Sequence, residues 1–118
     1  LRIMSPRRID FGEVRLLGFD LYRRGFAHAP DTPLHPGDLL HLALYWEAER
    51  KPTVAWRVRL ELLSGANVAV ASAEVPLATE FYPATAWQAG EIVRGEHDLP
   101  LPLNMLPGDY RLRMIRHL

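Results

Sequence analysis

The sequence predicts an all-β domain, an immunoglobulin-like antiparallel β-sandwich of about seven or eight strands. Three observations predict it. Apolar and polar side chains alternate over residues 39–48 and again over 53–63, the period of two that an extended backbone imposes. Ten prolines and eight glycines fall between the apolar runs, which is strand punctuation more than helix punctuation. The phrase Leu106-Pro107-Gly108-Asp109-Tyr110 reads as a tight corner feeding a last strand.

The elements follow in chain order. Residues 1–4 and 14–22 are strand candidates, and Gly18 inside the second marks a bulge or a close backbone approach. Residues 31–38, rich in proline, form a loop. Over 39–48, Leu40, Leu42, Leu44 and Trp46 face the core, while His41, Ala43, Tyr45 and Glu47 form a mixed face. Over 53–63, Val54, Trp56, Val58, Leu60 and Leu62 point inward, and Arg57, Arg59 and Glu61 point to water. Ser64-Gly65-Ala66-Asn67 is a turn, and residues 68–75 return as its hairpin partner. Residues 77–90 show no clean period and read as a long connection between sheets, with room for a short helical turn. Residues 91–99 are a strand. Leu99-Pro100-Leu101-Pro102 cannot lie inside a sheet, because proline donates nothing to the ladder. In the last strand, 109–116, Tyr110, Leu112 and Met114 turn inward. Gly108 supplies the backbone freedom of the corner, Pro107 presets its approach, and the Tyr110 hydroxyl is expected to reach back to a nearby backbone group.

The 118 residues fit one domain, 1–118, with no internal repeat or low-complexity segment. The 14 basic residues balance the 14 acidic ones, which argues against a nucleic-acid partner; Arg7-Arg8 and Arg23-Arg24 are too short to bind a polyanion. No cysteine is present, so disulfides, thiolate catalysis and cysteine zinc sites are excluded. No apolar run approaches the roughly 20 residues of a membrane helix. The sequence opens on Leu1 rather than Met, which leaves room for a targeting segment or membrane anchor outside it.

Taken together, the phrases resemble one family. They are Phe11-Gly12 with Leu16-Leu17-Gly18-Phe19-Asp20-Leu21, then Pro36-Gly37-Asp38 before Leu42-Ala43-Leu44-Tyr45-Trp46. Further on come Trp87-Gln88-Ala89-Gly90-Glu91-Ile92-Val93-Arg94, Leu99-Pro100-Leu101-Pro102, and Leu106-Pro107-Gly108-Asp109-Tyr110-Arg111-Leu112. The chain resembles the C-terminal extracytoplasmic β-sandwich domain of bacterial (Chloroflexus-like) membrane glycosyltransferases of the dolichyl-phosphate-mannose type. Ala89 departs from the family's usual proline, and the strand after Thr53 is more charged than usual. The resemblance implies a noncatalytic module outside the cytoplasmic membrane, tethered through a segment beyond this sequence. In such proteins the sugar-transfer chemistry belongs to the membrane portion, and no catalytic residue carries over.

The residues themselves nominate no catalytic set. Ser5, Ser64 and Ser72 lie in no Gly-x-Ser-x-Gly elbow, and the carboxylates alternate along strands as a solvated face does. His28, His35 and His41 lie near Asp31 and Asp38, but their spacing matches no metal-ligand motif, so no metal and no cofactor are expected. The aromatics of the irregular connection, Phe81, Tyr82 and Trp87, are the candidate ligand-binding residues, since loop aromatics stack on sugar rings and anchor interfaces. Trp87 has a second reading, as a plug packed onto the sandwich edge. The expected function is an accessory binding module for glycan or a neighbouring protein domain. The alternatives are a structural or protein-interaction module that uses a sheet edge, and a small hydrolase with a cryptic site.

Overall fold

The structure, a computed structural model, describes residues 2–4 and 8–117. Leu1, Ser5, Arg7 and Leu118, which enter the sequence reading, lie outside the described residues. The strands are β1 (Arg2–Met4), β2 (Val14–Arg23), β3 (Leu39–Ala48), β4 (Arg57–Leu63), β5 (Ala69–Pro76), β6 (Ile92–Pro100) and β7 (Asp109–His117). One sheet runs β1-β7-β4-β5 and the other β2-β3-β6, so the fold is an all-β sandwich of seven strands. In immunoglobulin lettering β2, β3 and β6 stand as an A-B-E sheet, facing β5, β4 and β7 as C′, C and F. β1 takes the place beside F where a strand G belongs, and it runs parallel to β7, with Ile3 opposite Tyr110. Every other pairing is antiparallel, as expected. A parallel pair needs a long connection rather than a hairpin, and the rest of the chain lies between β1 and β7.

The inner faces carry the predicted alternation. Leu40, Leu42, Leu44 and Trp46 of β3, Val58, Leu60 and Leu62 of β4, and Tyr110, Leu112 and Met114 of β7 are all buried in one core cluster. Each such leucine or valine stabilises the fold by about 1.5–3 kcal/mol. Phe11 closes the layer from the loop before β2, stacking on both Trp46 and Trp56 with ring centroids 5.8 and 5.6 Å apart. β2 carries its bulge at the predicted place, a register shift against β3 between Leu16 and Gly18. The Tyr110 hydroxyl donates to the Leu106 carbonyl at 2.6 Å, which makes the predicted corner, and Gly108 sits there at φ 144°.

Three expectations need correction. The strand foreseen from Thr53 begins only at Arg57. The Glu13 carboxylate draws residues 53–56 away from the sheet: the Thr53 amide donates to its two oxygens at 3.0 and 3.1 Å, the Thr53 hydroxyl at 2.7 Å, and the Trp56 indole at 2.9 Å. The Trp56 amide closes a three-residue turn on Val54 at 2.9 Å, so no ladder forms there. Glu61, expected in water, is buried, because Arg113 on the neighbouring strand folds over it at 2.8 Å. Pro100 does lie in a strand, as the last residue of β6 opposite Leu39. β6 is an edge strand, where a missing donor costs little.

The connection over residues 77–91 crosses from one sheet to the other, as foreseen, and contains a single 3₁₀ turn at Ala84–Ala86. No helix among the described residues is long and apolar enough to cross a membrane.

Candidate functional site

The predicted site residues separate in space. Phe81 is 98% exposed, Tyr82 is 37% exposed, and Trp87 is wholly buried. Trp87 therefore offers no surface to a ligand; it is the plug. Its indole donates to the Tyr82 carbonyl at 3.1 Å, and Lys51 Nζ donates to the carbonyls of Thr85 and Trp87 at 2.7 Å each. The Tyr82 hydroxyl donates to Glu91 at 2.5 Å, which raises the phenol pKa above its usual value and lowers that of the carboxyl. These bonds fix the loop and leave Phe81 alone at its tip.

Convergent polar chemistry lies elsewhere, on the outer face of the three-stranded sheet. Register decides it. Tyr22 of β2 lies opposite His41 of β3, which lies opposite Asp98 of β6. The next row is Asp20, Ala43 and Glu96, and the row after that pairs Tyr45 with Arg94. Successive side chains alternate across a sheet, so these eight residues share one face. The inward neighbours on the same strands, Leu42, Leu44, Val93 and Leu99, are core.

The face is knitted by its own hydrogen bonds. The Tyr45 hydroxyl donates to Asp20 at 3.0 Å, and this bond to a carboxylate raises the phenol above its ordinary range. Arg94 donates to Glu96 at 3.1 Å and lies over the Tyr45 ring at 5.6 Å. His41 Nδ1 stands 2.7 Å from Asp98 Oδ1, and its Nε2 stands 3.2 Å from Glu96 Oε1. The His41 contact, ahead of Arg94, holds the Glu96 carboxyl below its usual range. Arg24, just past β2, pairs with the other oxygen of Asp98. The Tyr22 ring rests against the His41 ring with centroids 5.0 Å apart.

A chain of turns roofs part of this face. Phe26, Ala29 and Thr32 donate in succession to the carbonyls of Arg23, Phe26 and Ala29 at 2.9–3.0 Å, and the Arg23 guanidinium lies 4.5 Å over the Phe26 ring. The turns bring Ala27 beside Tyr22 and divide the surface into two open depressions. One, about 450 Å³, is lined by Tyr22, Arg24, His28, His41 and Glu96. The other, about 350 Å³, is lined by Asp20, Tyr22, Pro30, Tyr45 and Arg94. Both fall in the size range of small-ligand sites. Neither is lined by serine, threonine, cysteine or lysine. The carboxylates are already held by donors, so the arrangement suits orienting a ligand through paired donors and acceptors.

The histidines near Asp31 and Asp38 do not gather. His35 stays with Asp38 at 3.6 Å, while His41 lies on the sheet face. Among the described residues no group of three or more histidines and carboxylates is arranged to hold a metal ion. The sequence did carry a signal of the outer face, in the polar positions of the 39–48 alternation, but which strands flank it, and in what register, was not legible. No family model matches the chain, and neither does any curated protein.

Proposed function

We propose that the chain is a noncatalytic binding module that takes a small polyhydroxylated ligand, a saccharide, on the outer face of β2, β3 and β6. The observation that carries this reading is the shared pair of depressions on either side of Tyr22, walled by Asp20, Arg94, Glu96 and Arg24. Vicinal hydroxyls pair with fixed carboxylate acceptors and guanidinium donors, and an aromatic flank covers the apolar side of a sugar ring. The resemblance to the C-terminal domain of membrane glycosyltransferases supports the same ligand class. It also supports display outside the cytoplasmic membrane as part of such a protein, with the catalytic step performed elsewhere. The test is titration of the labelled chain with mono- and oligosaccharides, read by amide NMR shifts. Shifts should map to residues 20–28, 41–45 and 94–98, with a dissociation constant on the order of 1 mM, typical of a shallow site. Asp20→Ala and Arg94→Ala should each abolish them. Shifts confined to the Phe81 loop, or none with any saccharide, overturn the reading.

A second reading, as a protein-interaction module, is favoured by Phe81. A fully exposed phenylalanine on a loop tied down by Lys51, Trp87 and Tyr82 is a preorganised anchor of the kind that dominates interfaces. Phe81→Ser should leave stability within about 0.5 kcal/mol of the parent and abolish any self-association seen by sedimentation.

A further inference from the structure

His41 uses both ring nitrogens on carboxylates. Nδ1 lies 2.7 Å from Asp98 Oδ1, and Nε2 lies 3.2 Å from Glu96 Oε1. A neutral imidazole has one N–H, and an ionised carboxylate only accepts. Both contacts are therefore hydrogen bonds only when the ring is imidazolium. Remove one proton and a nitrogen lone pair must face a carboxylate oxygen. The shorter bond, to Asp98, is the one that persists, because Arg24 pins that carboxylate from its other side. Glu96 is the one that leaves. Its side chain is 51% exposed, and its remaining partner Arg94 is equally exposed.

We propose that His41 is a proton-operated latch on the outer-face site: as imidazolium it clamps Glu96 into the wall of the larger depression, and on losing its proton it releases Glu96 to solvent and weakens ligand binding. This inference rests on the saccharide reading of the same face. The groups that surround the latch are Tyr22 from β2, Arg24 from its exit, Glu96 and Asp98 from β6, and His28 from the roofing turns. Arg94 stands beyond Glu96. His97, next to Glu96 in sequence, points to the opposite face, where it contacts the Leu77 carbonyl at 3.3 Å. Release of Glu96 frees Arg94 as well, so one proton moves two walls of the site. Binding is expected to be tighter in acid and looser in base, because the clamped geometry exists only with the proton in place.

The experiment follows the labelled chain from about pH 5 to about pH 8, the range in which imidazoles change charge. Ring-nitrogen NMR shifts report the His41 protons, the carboxylate-carbon shift reports Glu96, and a saccharide titration is run at each end. Both ring protons should be present at the acid end. The Glu96 resonance should move in step with loss of the His41 proton, and affinity should fall about tenfold, the equivalent of one lost charge-assisted contact. In Glu96→Gln the pH dependence of His41 should shift and its link to affinity disappear. A Glu96 resonance that stays put while His41 changes charge overturns the latch, as does a His41 ring with a single proton throughout. Coupled His41 and Glu96 signals without any saccharide binding leave the latch standing and overturn the saccharide reading. Equal saccharide affinity at both ends does the reverse.

Discussion

Gly95 lies directly against the Leu77 carbonyl: a Cβ on Gly95 would stand 2.0 Å from that oxygen. Gly95 faces the inside of β6, and Leu77 begins the crossover that brings the chain from the four-stranded sheet to the three-stranded one. The side of the sandwich between β5 and β6 is closed by this contact and by His97, which reaches the same oxygen. Backbone cannot yield as a long side chain does. Gly95→Ala should cost about 3 kcal/mol, the upper part of the overpacking range, read as a lowered midpoint in urea unfolding. An unchanged midpoint would show that the crossover is not seated on β6.

Trp87 makes a second test of the crossover. With no exposed surface, it is the largest side chain that this segment contributes to the core. Trp87→Ala should destabilise by about 3–5 kcal/mol, the usual range for a buried aromatic, without changing which saccharides bind. A stable variant with altered ligand selectivity would return Trp87 to the binding surface.

Two buried groups should make separable contributions to the pH dependence of stability. Burial holds the His97 imidazole below its usual 6.5, against the opposing effect of the Leu77 carbonyl. The unfolded chain therefore takes up that proton first, so the contribution is complete above the usual value and is lost as the pH falls through it. Glu13 titrates lower. The Thr53 hydroxyl and amide, helped by the Trp56 indole and Arg50, lower it from 4.5 to about 2. Its contribution is complete above its unfolded value and fades as the pH drops toward 2. In thermal melts His97→Gln should reduce the slope near neutrality, and Glu13→Gln should reduce the slope at acid pH. A slope near neutrality that His97→Gln leaves unchanged refutes its assignment to that ring.

The tyrosine corner is measurable on its own. Tyr110→Phe removes the bond to the Leu106 carbonyl and keeps the ring in the core. The expected loss is about 1 kcal/mol, with the effect falling mainly on the unfolding rate if the corner forms late. No change in either unfolding rate or midpoint would mean that water serves Leu106 equally well.

Much of this fold was legible in the chain because it is governed by local periodicity. The alternation of Leu40, Leu42, Leu44 and Trp46 sets which side of β3 is buried whatever lies opposite, and Gly18 marks the bulge of β2 without reference to a partner. Thr53 and Val54 misled because their pattern is that of a strand, while a carboxylate 40 residues earlier captured the Thr53 amide. Phe81, Tyr82 and Trp87 were grouped by nearness in sequence, and the loop then turned one ring to solvent and another to the core.

The sequence by itself determined two layers of alternating strands, the buried stripe of each, the corner at Tyr110 and the crossover between sheets. Those follow from backbone geometry and the insolubility of leucine, valine and tryptophan side chains in water. Only the tertiary structure decided that Tyr22, His41 and Asp98 form one row, because they come from strands separated by long connections, and register between such strands is set by the packing of the whole core. The polar face exists for the same reason: once the inward residues of β2, β3 and β6 are seated, the outward ones have no choice of neighbour.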